Sequence, residues 1–107
     1  MTTVLLVRHG RTAANAAGVL SGWTPGVHLD EAGTMQAAAL GARLAPVPLR
    51  AVVTSPLERC RETAAAVLAG RDGAPEHVDD RLGECRYGDW TGRALKDLAK
   101  EIGRAHV

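Results

Sequence analysis

Three places along the chain hold residue types suited to phosphoryl chemistry. The first is Arg8-His9-Gly10-Arg11-Thr12. A neutral, correctly oriented histidine can attack phosphorus. The planar donor fork of an adjacent arginine can hold phosphate oxygens, and a glycine beside the nucleophile lets backbone and ligand approach closely. The second is Arg59, shortly after Ser55-Pro56-Leu57, where an incipient helix offers free N–H groups and its dipole to an anion. The third is Glu84. Burial or the charge of a neighbouring phosphate raises a carboxyl pKa and equips it to protonate a leaving oxygen. Each has an ordinary structural explanation: a turn histidine, a helix arginine paired with Glu58 or Glu62, an exposed loop glutamate. Taken singly, those explanations win.

The elements that must position these residues follow from patterning. Residues 2–8 form an uninterrupted apolar run that predicts a strand buried on both faces of a parallel sheet. His9 then falls at its C-terminal end, where open α/β sheets bind ligands. Residues 16–29 are rich in Gly, Pro and Ser and predict a loop. Asp30 is the expected N-cap of a helix running to about Leu44, with Leu40 and Leu44 on its apolar face and Met35 and Ala37 nearby. Residues 50–54 predict a second buried strand. Ser55, Pro56 and Glu58 then spell a capping box with proline at the first helical position. That helix should reach Ala69, with Leu57, Ala64, Val67 and Leu68 on one stripe. A short strand at 77–81 and a helix at 93–100 complete an alternating order. Such an order implies a three-layer α/β/α fold with a mostly parallel sheet.

Bulk properties narrow the field. The 107 residues carry a formal net charge of +1 with no basic stripe, which argues against a nucleic-acid partner. Cys60 and Cys85 lie far apart without metal-ligand spacing, so two reduced cysteines in a cytoplasmic protein are expected. Val4 to Val7 is too short for a signal-peptide core and no stretch approaches a membrane span. Alanine is abundant and phenylalanine absent, which calls for close packing of small side chains.

In combination the motifs mean more. Leu5 to Asn15 reads as a hydrophobic strand followed by Arg-His-Gly-x-Thr-x-x-Asn. Ser55 to Ala64 reads as Ser-Pro-Leu-x-Arg-x-x-x-Thr-Ala, and Leu82 to Gly92 as Leu-x-Glu-x-x-x-Gly-x-Trp-x-Gly. Three such motifs in this order resemble the histidine phosphatase (phosphoglycerate mutase-like) superfamily over residues 3 to about 100.

The resemblance implies transfer through a phosphohistidine at His9, with Arg8 and Arg59 holding the equatorial oxygens. It makes Glu84 the proton donor and puts Thr12 and Asn15 near the phosphate. It calls for a small phosphorylated substrate and for no metal or organic cofactor. Glycolytic mutases of the superfamily carry Asn-Glu-Arg-His-Tyr-Gly where this chain has Gly83-Glu84-Cys85-Arg86-Tyr87-Gly88. A phosphoric monoester hydrolase is therefore the first reading, a mutase-type transferase the second, and a non-catalytic phosphate-binding module the third.

One part of the pattern is not found: a second histidine in a strand-end Ser-His-Gly motif. His28, His77 and His106 stand in other contexts, so the chain alone is expected to be inactive. Its sheet should also be incomplete and aggregation-prone, with strands 2–8 and 50–54 facing a gap. Residues 1–100 are read as the N-terminal part of the domain. Residues 101–107 match an in-frame translation of a common sequencing-library adapter and are expected to be a non-native tail. Trp23 is expected either to border the pocket or to pack within its loop.

Overall fold

A computed structural model of the chain describes residues 3–19, 21–71 and 73–83. Their element order is α1 (Ala13–Ala17), α2 (Glu31–Leu44), β1 (Val52–Thr54), α3 (Glu58–Leu68), β2 (Glu76–Val78) and a 3-10 turn (Asp80–Leu82). The expected helix at 93–100, Glu84 and the tail 101–107 lie outside the described residues.

The two long helices form where capping and composition direct them. Asp30 opens α2 in extended geometry, its Oδ1 accepting from the Gly33 amide at 2.7 Å. This satisfies one orphan donor of the first turn. Arg71 closes the same helix by donating to the carbonyls of Leu44 and, at 2.6 Å, Val47. The core between α2 and α3 is small-residue packing, as the alanine content requires: Ala37, Leu57, Ala64 and Val67 are buried. A Cβ on Gly41 would collide with the Ala66 carbonyl, so glycine sets how closely the two helices approach. Met35, expected close to the buried face, is instead exposed.

The sheet consists of β1 and β2 in parallel, with Val52 opposite Glu76, Val53 opposite His77 and Thr54 opposite Val78. With the helices it makes an incomplete α/β fold. The third-strand expectation holds, shifted to Glu76–Val78. The first-strand expectation does not. Residues 3–8 form no strand, and no backbone–backbone hydrogen bond ties them to another described residue. Val4, Leu5, Leu6 and Val7 are exposed. The run carries strand composition, but a ladder needs a partner on its edge, and no described segment supplies one.

Two local expectations also change. The stretch beginning at residue 16 is not all loop, because α1 reaches Ala17 and ends on Gly18 in the left-handed region (φ 67°). The Ser55 capping box does not form. Helix α3 starts at Glu58 with Leu57 as an extended N-cap lacking a side-chain bond, while Ser55 Oγ accepts from the Leu57 amide at 3.3 Å. Glu58, which should have reached back to close the box, accepts from the Gly26 amide instead, at 3.1 Å.

Candidate active site

The Arg8-His9-Gly10 turn rests directly on the first turn of α2. A Cβ on Gly10 would come within 2.5 Å of the Gly33 carbonyl oxygen, and one on Gly33 would overlap the Arg11 backbone. Two glycines are required here for backbone to meet backbone. Arg11 and its surroundings fasten the contact. Its Nε meets Asp30 Oδ2 at 2.9 Å, its carbonyl accepts from the Asp30 amide at 2.9 Å, and its amide donates to Gln36 Oε1 at 3.0 Å. An isolated antiparallel bridge joins Thr12 to Leu29.

The His9 ring is oriented from its own backbone. Nδ1 lies 2.6 Å from the Gly10 carbonyl oxygen. A carbonyl only accepts, so Nδ1 carries the hydrogen and, in the neutral ring, Nε2 keeps its lone pair. The half-buried ring is thereby in the tautomer a nitrogen nucleophile needs.

A single hydroxyl couples this turn to α3. Buried Thr63 accepts from the Gly10 amide at 3.1 Å and donates to the Arg59 carbonyl at 2.8 Å. Thr63 thus joins the residue after His9 to the turn that carries Arg59. The sequence reading missed this role, although the signal was present: a helical threonine four residues after the candidate arginine is placed to bond its carbonyl.

Arg59 is only 2% exposed. Its Nη2 donates to the Gly22 carbonyl at 2.8 Å, whereas among the described residues the buried Nη1 has no hydrogen-bond partner and no carboxylate pairs with the guanidinium. The alternative of a solvated helix arginine paired with Glu58 or Glu62 is not what forms. Those two acids accept from loop amides, Glu58 from Gly26 and Glu62 from Leu29, each at 3.1 Å. The Gly26 N–H and then Glu58's own backbone N–H hold the Glu58 carboxyl below the usual value of 4.5. A buried guanidinium with an open donor and no paired carboxylate is costly unless an anion joins it. Arginine geometry suits phosphate oxygens in that position.

The remaining candidates are placed as follows. Arg8 is exposed and has no partner among the described residues. Thr12 is fully buried as the N-cap of α1, accepting from the Asn15 amide at 3.1 Å, and Asn15 Oδ1 accepts from the Thr12 amide at 3.1 Å. Both side chains are committed to a reciprocal capping box beside His9. Trp23 is half-buried and packs on Gly83, where any Cβ would overlap its indole ring. Among the described residues no cluster of three or more His, Cys, Asp or Glu could hold a metal. No described helix is long and apolar enough to cross a membrane.

With this geometry in place, comparison with known proteins is direct. The model of the histidine phosphatase superfamily (branch 1) matches residues 4–107, and the chain belongs to that superfamily. The adenosylcobalamin/alpha-ribazole phosphatase of Salmonella typhimurium is 47% identical over 102 residues, covering 95% of this chain and 50% of that protein. A crystal structure of a putative alpha-ribazole-5′-P phosphatase from Escherichia coli K-12 superimposes with a TM-score of 0.80 at 37% identity. It covers 94% of this chain and 50% of the other. The mycobacterial glucosyl-3-phosphoglycerate phosphatase in complex with VO3 gives a TM-score of 0.81 at 31% identity, over 92% and 48%. The chain therefore spans about half the length of the relatives it matches.

Proposed function

We propose that this chain carries the nucleophile-bearing part of a phosphoric monoester hydrolase that works through a phosphohistidine at His9. The observation that supports it most is one connected unit. A histidine with Nδ1–H held by the Gly10 carbonyl is tied through Thr63 to a buried arginine with an open donor.

In this reading His9 Nε2 attacks phosphorus, the P–N bond forms and the bond to the leaving oxygen breaks. Glu84 gives that oxygen its proton. Water then cleaves the P–N bond, releasing inorganic phosphate and restoring His9. Arg59 and Arg8 bind the equatorial oxygens, where charge is greatest during transfer. Thr12 and Asn15 border the phosphate and hold the start of α1 beside His9. The substrate is a small phosphorylated molecule, consistent with the names of the similar phosphatases. The 107-residue chain binds phosphate but does not turn over, because no second pocket histidine stands in a Ser-His-Gly context.

A chimaera tests this reading. Residues 1–100 are joined to the part of the Salmonella relative that the match does not cover, and p-nitrophenyl phosphate hydrolysis is measured. Activity is expected, and His9→Ala should abolish it by a factor of about 10⁴ or more. A chimaera as active without the His9 imidazole as with it overturns the phosphohistidine reading. A chain that binds orthovanadate while its chimaera hydrolyses nothing favours the non-catalytic binding module.

A further inference from the structure

We propose that Glu58 and Glu62 are positioning residues, two carboxylates one helical turn apart that strap the 22–29 loop onto α3 so that the Gly22 carbonyl holds Arg59. The proposal rests on reading Arg59 as a phosphate ligand and adds the means by which its guanidinium is presented.

Positions 58 and 62 are i and i+4 on the helix and so lie on one side of it, with Arg59 next to the first. Each acid uses one oxygen on the loop backbone. Glu58 Oε1 accepts from the Gly26 amide and Glu62 Oε1 from the Leu29 amide, both at 3.1 Å. Glu62 Oε1 also meets His28 Nδ1 at 3.2 Å.

The loop between Gly22 and Leu29 is also held at its end by the Leu29–Thr12 bridge. Its backbone enters the left-handed region at Gly22 (φ 52°) and Gly26 (φ 77°). A turn bond runs from the Thr24 amide to the Ser21 carbonyl at 2.9 Å, and Trp23 packs on Gly83 beside it. Gly22 is buried and placed within 2.8 Å of Arg59 Nη2.

The straps do two things for Arg59. They set the height of the Gly22 carbonyl above the helix. They also engage the two acids best placed to neutralise Arg59, since Glu58 and Glu62 are its neighbours on α3 and both are turned to the loop. A carbonyl dipole orients the guanidinium without cancelling its charge, so the buried Nη1 stays available to an anion. The depressed Glu58 carboxyl agrees with a tie made by the ionised form.

The test separates reach from charge on the 107-residue chain, with orthovanadate as the probe. Asp at both positions keeps the charge but is one methylene short, whereas Gln keeps the length and an acceptor oxygen. The double variant Glu58→Asp/Glu62→Asp should speed hydrogen exchange of the Gly26 and Leu29 amides. It should also weaken orthovanadate binding by about tenfold or more. Glu58→Gln/Glu62→Gln should stay within about threefold of the parent in both readouts, since the Gln side-chain oxygen reaches the same place and can accept from the same amides as the carboxylate it replaces.

Faster loop exchange with unchanged orthovanadate affinity overturns the proposal, as does unchanged exchange. If the parent chain binds no orthovanadate, it is the phosphate reading of Arg59 that fails. The strap is then decided by exchange of the Arg59 guanidinium protons: faster exchange in the Asp variant sustains it, and unchanged exchange overturns it. If the double Asp variant does not fold, the single variants Glu58→Asp and Glu62→Asp carry the same readings.

Discussion

His9 and Leu6 stand three residues apart and belong to opposite kinds of structure. From His9 onward the chain is held by partners distant in sequence: Thr63 on the Gly10 amide, Gln36 on the Arg11 amide, Asp30 on the Arg11 side chain, Leu29 opposite Thr12. Upstream, Leu6 is 95% exposed and its neighbours share no backbone bond with any described residue. Composition does not explain the contrast, because residues 3–8 are the more apolar of the two. The difference is that polar and glycine positions define their own partners, whereas an apolar strand needs an edge to pair with and a surface to cover it. The corner around His9 is consequently built from α2, α3 and the loop that leads into α2, and residues 3–8 upstream of it contribute little to its stability.

The most damaging way to probe this contrast is at the glycine contact beneath the histidine. Gly33→Ala would gain helix propensity on α2, but its methyl would meet the Arg11 backbone, which cannot retreat like a side chain. A net loss of about 3 kcal/mol is expected, measured as a lowered urea midpoint, with the His9 turn displaced from α2. A stability gain would mean that the close approach is absent in solution.

Thr63→Val is the next step down, and it sharpens the comparison because it preserves volume and removes only the hydroxyl. The buried Gly10 amide then loses its acceptor and the Arg59 carbonyl its donor. Leaving a buried amide unsatisfied costs about 1–3 kcal/mol. Exchange of the Gly10 amide should rise in step with that loss. If stability falls and Gly10 remains protected, Thr63 acts through the core alone.

At the opposite region the expectation is close to zero. Leu6→Ser should change stability by less than about 0.5 kcal/mol, as for other surface positions. It should lower dye binding and concentration-dependent association, since exposed apolar runs beside open strand edges invite both. A loss of 2 kcal/mol or more would show that residues 3–8 are paired in solution, and the contrast with His9 would collapse.

What the sequence makes legible follows the same division. Helix α2 was readable from Asp30 to Leu44 and α3 through Leu68, because capping residues and helical periodicity act within a few positions. Arg59 stood out as a candidate because a motif surrounded it, whereas its burial and open donor depend on the fold and could be seen only there. The start of α3 was not readable, since the competitor for the Glu58 carboxylate is the Gly26 amide, thirty-two positions away. The run 2–8 misled for a related reason: apolar composition reports suitability for a strand and says nothing about whether a neighbour is present. Thr12 and Asn15 were visible as a motif, but their capping geometry depends on α1, which the Gly- and Ala-rich stretch after residue 12 concealed.

The smallest expected effect lies at the exit of the sheet, where local ties stand in for a core. Asp79 donates its amide to the Thr54 carbonyl at 2.9 Å and caps the 3-10 turn, while its carboxylate takes the Arg81 side chain at 2.6 Å and the Arg81 amide at 2.9 Å. These bonds, the Arg81 side chain first, pull the Asp79 carboxyl from 3.8 down to about 2. A carboxyl depressed on folding contributes stability that is present above its unfolded value. That stability is lost as pH falls from 3.8 through about 2. Arg81 is exposed and Asp79 part-exposed, so salt should screen much of the effect. Arg81→Gln should return the Asp79 midpoint, followed by carboxyl carbon NMR, most of the way to 3.8. Protection of the Gly10 amide should not change, because the turn leading to Gly83 and the corner around His9 are held by separate sets of bonds. Coupled loss of both would show that the Trp23–Gly83 contact carries the effect from one to the other.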